Sequence, residues 1–327
     1  MAAASDLPTD GGAGWRLELP ANDHRVFRIG LTLSAAAPGA DPPRQVMDLD
    51  VRVARAQAAT REYFAWAAGR LPHVRTASKA LDEFYARSAL TLLMCRLERP
   101  DYMVNPFYDF GQLRGASVLW DLSFASSAIA LLEPEALKGM VRAHLQSGIF
   151  TATYTGWKGT GSGWYAQSPF ALLRIVNDYL ARTGDTSWLD ERIGQASLYE
   201  QLCEIGQELH RRYARSDGLL DFGDTTRAML ELRTTGYYHA VAATNGMASD
   251  FFHQFAGWSH ARHETRAEDF ERWSEQIAAG LRNQLWDQQA GWFVNLFPDG
   301  SRHLVLSYHM FDLLDSPSIR EDQRQSG

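Results

Sequence analysis

Cysteine is nearly absent from this chain of 327 residues: Cys95 and Cys203 are the whole supply. Two thiols so far apart, with no ligand spacing around them, exclude a zinc ribbon or a disulfide-rich scaffold. Buried free thiols of a reducing compartment are the expectation, with a single disulfide as the alternative. Long apolar runs are missing too; no stretch approaches the roughly 18 residues of a membrane span, so no membrane partner is expected. The opening MAAASDLPTDGGAGW has neither a basic nor an apolar signal region, which points to a cytoplasmic protein. There is no Lys/Arg-rich run, and the net charge is −7, so nucleic acid is excluded as a partner. The ten histidines form no HExxH-like pattern, and neither a metal nor a cofactor is expected. No strict repeat marks a TPR or HEAT array.

Aromatic residues are plentiful instead: 10 Trp, 12 Tyr and 16 Phe. Trp120, Trp157, Trp164 and Trp292 stand beside Gly or Asp in loop-like stretches. Rings in loops suit carbohydrate, whose C–H faces pack on them while hydroxyls seek polar partners.

Residues 1–14 are Ala, Gly and Asp rich and read as disordered. Phe27, Ile29, Leu31 and Leu33 alternate with polar residues, and Leu17 and Leu19 add a second strand; 35–45 is a linker by its Pro and Gly. Residues 15–45 are thus expected to be a strand segment and linker, the remnant of a sheet that cannot stand alone. From residue 46 onward helical period dominates. Helices are expected over 50–70, 77–97, 119–131, 135–146, 168–183, 187–215, 237–260 and 266–286, with the start of another before the end. Ser168 and Pro169 mark the start of one of them. A short hairpin is expected around Asp299-Gly300. The connections alternate between tight ones, such as LLEPEA, and long ones rich in Gly and aromatics. Long loops in a compact domain are uncommon unless they work. The alternation fits a ring of helical hairpins, tight at one end and with a site at the other.

Chemistry is densest in DGLLDFGDTTRAMLELRTTGYYHAVAATN, 217–245. Asp217, Asp221, Asp224 and Glu231 stand among glycines, followed by Tyr237, Tyr238, His239 and Asn245. One carboxyl to protonate a leaving oxygen, a second to activate water, and rings to hold a sugar are what glycoside cleavage needs. The plain alternative is a solvated acidic turn whose aspartates bond their own backbone.

Several motifs together resemble the six-hairpin (α/α)6-barrel glycosidases, closest to the mannosylglycerate-hydrolase-like domain of glycoside hydrolase family 63, with trehalases more distant. SVLWDLSFASSAIALLEPEALKGMVRAHL is similar to the family's Trp-Asp segment, which implies substrate-binding roles for Trp120 and Asp121. GWYAQSPFALLRIVNDYLARTGDTSWLDE resembles the segment where a Gln precedes Pro, implying Gln167 as a ligand beside Trp164 and Tyr165. GLLDFGDTTRAMLELRTTGYYHAVAATNG resembles the family's acid-bearing element. The resemblance assigns the general acid to Asp221, with Asp224 and Glu231 as reserves, and gives Arg227 and Asn245 substrate contacts. LRNQLWDQQAGWFVNLFPDG is similar to a structural hairpin of the family.

The resemblance implies a mainly α fold, an (α/α)6 toroid left incomplete at eight or nine helices. It also implies an inverting hydrolase of a small α-linked glucoside or mannoside. Its general base would lie on a later loop; here Glu321 in a polar tail is a poor candidate, so the chain reads as a fragment, or as completed by another chain. An open ring exposes helix flanks and favours self-association. Two other readings stay open: a non-catalytic or truncated sugar-binding paralogue, and an epimerase or lyase using Tyr237, Tyr238 and His239.

Overall fold

The computed structural model describes residues 49–111, 115–152, 154–156, 161–162, 164–224, 229, 235–314 and 316–326. The expected N-terminal strands, Trp157, Arg227 and Glu231 lie outside the described residues. Contacts divide the chain into two units, Met1–Gly69 and Arg70–Gly327. The first contributes helix α1, Leu49–Ala68.

The second unit is helical, with short strand pairs in its connections. It begins with α2 (Lys79–Cys95), whose N-cap Ser78 accepts a hydrogen bond from the Leu81 amide. A strand pair, β1 (Arg96–Leu97) with β2 (Phe107–Tyr108), and β3 (Ala116–Val118) lead into α3 (Leu119–Leu132). One residue, Glu133, joins α3 to α4 (Pro134–Ser147). Strands β4 (Tyr154–Gly156) and β5 (Gly161–Ser162) extend β3 into a three-stranded sheet before α5 (Ser168–Thr183). A 3-10 turn (Thr186–Asp190) and the hairpin β6 (Arg192–Ile193)–β7 (Ala196–Ser197) precede α6 (Leu198–Tyr213). Then follow α7 (Ala242–Ala261) and α8 (Arg266–Asn283). After them come the hairpins β8 (Trp286–Asp287)–β9 (Trp292–Phe293) and β10 (Asn295–Leu296)–β11 (Arg302–His303). The unit ends with α9 (Met310–Leu314) and α10 (Glu321–Ser326).

Packing sorts these helices into two layers. α3 lies against α5, α5 against α7 and α7 against α9, while α4, α6 and α8 each back onto this inner row. The layers follow from composition. α3, LWDLSFASSAIALL, is apolar or small nearly all round, as a helix covered on several sides must be. Its buried serines are satisfied locally: the Ser123 hydroxyl donates to the Trp120 carbonyl and that of Ser126 to Ser123. The outer helices α4, α6 and α8 each bury one stripe and leave charge outside. Hairpins with an inner and an outer member, arranged in an arc, make a helical toroid, as the sequence pattern predicts.

The tightest contact is α7 on α8. Phe251, Phe252, Phe255 and Phe270 fill it, and the Trp273 ring stacks on His210 at 3.9 Å. Ser249 and Ser274 each donate a hydroxyl to the other's carbonyl, at 2.9 and 2.8 Å. This double bond is formed only where small side chains let two backbones approach.

Two boundaries differ from the sequence expectation. The helix expected over 187–215 begins at Leu198, because Gly194 turns a hairpin at φ +70° and Ser197 with Glu200 forms a capping box. The helix expected from 237 begins at Ala242, because Ala240 pairs with Leu296 and His239 has φ +63°.

The outer end of α4 is fastened to the α5–α6 connection by Lys138. Its side chain is 10% exposed; the ammonium donates to Asp185 at 3.2 Å and lies 5.1 Å over the Tyr179 ring. These partners raise the Lys138 pKa against the opposing pull of burial, which is the largest single influence on it. Lys138→Met keeps the stem and removes the charge. It is expected to lower stability by about 1–2 kcal/mol, seen as an earlier denaturant midpoint.

Candidate functional site

The connections into the N-termini of the inner helices are 96–118 before α3, 148–167 before α5, 214–241 before α7 and 284–309 before α9. All four are long, and topology gathers them at one end of the arc. Connections at the opposite end are short, or locked like that at Lys138. Most of the residues singled out in the sequence therefore come to one end: Trp120, Asp121, Trp164, Tyr165, Gln167, Asp221, Asp224 and Asn245.

The first group centres on Trp120. Its indole is almost fully buried, edge-on to Phe124 at 5.2 Å and to His309 at 5.4 Å. The Arg174 guanidinium lies 5.6 Å from the Trp120 ring and 5.1 Å from Phe124, and is ion-paired with Asp312. His309 Nδ1 shares a 2.7 Å hydrogen bond with the Tyr237 hydroxyl. Burial lowers the His309 pKa to about 4 and raises that of Tyr237. Tyr308 rests on His309 at 4.2 Å and is 53% exposed, so it offers the open ring that Trp120 does not.

Asp121 reaches solvent on one side, yet the protein around its carboxylate withholds water and raises its pKa. Its charge in turn helps hold the Tyr308 pKa up, after burial. With Phe124, Phe110 and Tyr85, Asp121 lines an open groove of about 680 Å³ between α2 and α3. Asp221 is not among the residues lining that groove. A second cavity, about 300 Å³, lies between the inner helices and is lined by Trp120, Arg174, Asp250 and Asp312 among others.

The second group is on loop 214–241. The Asp221 carboxylate accepts from the Gly223 amide at 2.8 Å and sits 3.0 Å from His239 Nδ1 and 3.5 Å from the Arg215 guanidinium. Asp217 takes the same guanidinium at 2.8 Å and caps its own turn at the Leu219 amide. Gly223, at φ +85°, reverses the chain so that Asp224 emerges exposed. Asn245 is wholly committed inside the protein: its side chain accepts from the Leu220 amide at 2.8 Å and donates to the carbonyls of Leu220 and Val241.

Between the two groups, the Trp164 ring stacks on Tyr213 at 5.4 Å and Tyr213 leans on Phe222. Tyr165 is half-buried beside it. The Gln167 amide is fully buried and donates to the Met229 sulfur at 3.8 Å, which the Thr244 hydroxyl also approaches. Buried polar atoms without a partner are concentrated at this end. Ser117 Oγ, Trp164 Nε1, Gln167 Oε1, Trp292 Nε1 and His309 Nε2 belong to loops entering inner helices; among the described residues the His144 ring and Trp188 Nε1 are the others. Such atoms cost stability and mark places where polar chemistry outweighs packing. No group of three or more His, Cys, Asp or Glu able to hold a metal occurs among the described residues.

Sequence reading passed over Tyr308 and His309. The signal was there, since a polar Ser-Tyr-His runs into a short apolar helix that carries Asp312 in its first turn, as α3 carries Asp121.

No family model and no curated protein matches the chain. Among solved structures it is similar to a rhamnosidase from Klebsiella oxytoca with rhamnose bound, at TM-score 0.61 and 16% identity. That likeness covers 79% of this chain and 48% of the rhamnosidase, so the chain spans about half of that protein. The helical toroid of this chain thus shares its fold with part of that rhamnosidase.

Proposed function

We propose that the helical unit is glycoside hydrolase-like, and that a small α-linked glycoside occupies the end where the inner-helix N-termini meet. The reading is of an inverting reaction, with an acid side on the Asp221 loop and a carboxylate base across the attacking water, the two about 6.5–9.5 Å apart. Asp121, Gln167 and the Trp120 group are the sugar contacts in this reading. The observation that carries it is the Trp120–His309–Tyr308 aromatic group with Asp121 beside it, among buried polar atoms left without partners. Rings with convergent polar groups are how a protein holds a sugar. The likeness to a rhamnosidase adds α-L-rhamnosides to the glucosides and mannosides that the sequence suggests.

The test is a panel of aryl α-glycosides of gluco, manno and L-rhamno configuration, with calorimetry of the free sugars. At least one is expected to bind and to turn over. Tyr308→Ala, at an exposed position, should weaken binding about tenfold, and Asp221→Asn should slow turnover roughly 10²–10⁴-fold with the fold retained. Full activity in Asp221→Asn would remove the acid side of the reading. Binding without turnover would favour a non-catalytic sugar-binding protein, a reading supported by the bonds that already occupy the Asp221 carboxylate.

A further inference from the structure

Asp221 is held from three directions, and what it holds in return is His239. His239 Nδ1 lies 3.0 Å from Asp221 Oδ1. The Gly223 amide donates to that same oxygen at 2.8 Å and the Arg215 guanidinium lies 3.5 Å from the other, so the carboxylate is held facing the ring. The His239 backbone is fixed as well: its N–H donates to the Gly223 carbonyl at 2.8 Å, and its carbonyl accepts from the Phe222 amide at 3.2 Å. Phe297 walls the imidazole, its ring 5.0 Å away. His239 keeps φ at +63°, left-handed backbone that glycine adopts without cost, so the side chain here is kept against a backbone preference. The side chains of both residues are 18% exposed, so the couple sits at the protein's edge with Nε2 on the side away from Asp221.

A backbone staple alone would account for the two main-chain bonds, and asparagine would serve it. It does not account for an imidazole whose one nitrogen is bound to a braced carboxylate. That arrangement fixes tautomer and ring direction and leaves the far nitrogen to exchange a proton.

We propose that His239 is the proton-carrying group of this site and that Asp221 is the residue positioning it. The inference rests on the hydrolase reading for its reaction. In that reaction the His239 imidazolium gives its Nε2 proton to the departing glycosidic oxygen as the C–O bond breaks and its electron pair goes to that oxygen. Water adds at the anomeric carbon and yields its own proton to the carboxylate base. The imidazole left behind keeps its Nδ1 proton on Asp221 and regains the other from solvent. Asp221 thus serves the acid side without touching the sugar.

The experiment labels the whole chain with diethyl pyrocarbonate at neutral pH and reads each histidine by peptide mass spectrometry. His239 is expected to react at Nε2 well ahead of buried His144 and His309. Asp221→Asn should slow that reaction at least threefold without changing the rates at the other sites. In nitrogen-15 spectra the neutral ring should carry its proton on Nδ1, and lose that preference in Asp221→Asn. On whichever glycoside of the panel turns over, His239→Asn should lose about a hundredfold or more, and the double variant should be no worse than the worse single one. An unreactive His239, a labelling rate indifferent to Asp221→Asn, or full turnover in His239→Asn would each overturn the proposal. If no glycoside turns over, the hydrolase reading falls by itself, while labelling and tautomer still decide whether Asp221 presents His239.

Discussion

Replacing Asn245 by alanine is expected to lower the stability of the helical unit by about 3 kcal/mol, among the larger losses any single side chain here can cause. The Asn245 amide is completely buried at the start of α7 and satisfies both polar groups of Leu220. Its removal strands an N–H and a carbonyl away from water, at roughly 1–3 kcal/mol each. Asp at the same place would still accept from Leu220 but would set a carboxylate against the carbonyls of Leu220 and Val241, so it should fare no better. Equilibrium denaturation of Asn245→Ala and Asn245→Asp beside the parent checks this. A sugar-contacting Asn245 would instead show an unchanged midpoint and weakened sugar binding. That outcome would show that the Leu220 loop is held by something other than Asn245.

The second large effect belongs to His144. It is fully buried on α4, neither ring nitrogen has a partner among the described residues, and burial lowers its pKa to about 3. An unfolded histidine titrates near 6.5, so below that pH the unfolded chain binds a proton that the folded chain refuses. Stability is therefore lost as pH falls from about 6.5 and levels off below about 3. At pH 5 the loss from this one group is about 2 kcal/mol. His309, lowered to about 4, adds a similar but smaller loss. His144→Leu removes the His144 share and also two unpaired buried nitrogens. Its advantage over the parent should be present at neutral pH and grow by about 2 kcal/mol on going to pH 5. Denaturation midpoints of the two proteins at pH 7 and pH 5 give that difference directly. Equal pH slopes would mean that His144 finds a proton acceptor in solution.

Much of the fold was legible because it is written in period and punctuation. Apolar spacing located α2 through α5 and α8 closely, and the contrast of short and long connections announced the two-layer arc. What escaped was set by partners distant in sequence. Residues 237–241 look helical, but Ala240 pairs with Leu296 and His239 bonds to Asp221 and Gly223, so the helix waits until Ala242. Of the candidate site, the sequence order of long connections is enough to bring the segments of Trp120, Asp121, Gln167 and Asp221 to one end of the arc. The site was less legible in its detail. Residue type cannot tell an aspartate that meets a ligand from one that braces a histidine, and Asn245 has the composition of a sugar contact but the bonds of a structural clamp. Trp120, picked as a wall, is buried beneath its neighbours, and the exposed rings of its group are Phe124 and Tyr308.

Glu133 alone separates α3 from α4, and it carries more than a turn: its carboxylate takes the Arg96 guanidinium and the Tyr108 hydroxyl at 2.7 Å. An insertion there would shear a helix pair and sever the strand pair β1–β2 from it. Between 148 and 167, or 284 and 309, the connections are long, and added residues would be borne best away from the β3–β4–β5 sheet and the Ala240–Leu296 pair. Diversity introduced by recombination should therefore survive at the loop end and be purged at the joint end, and a library meant to change ligand preference should be confined to those two spans.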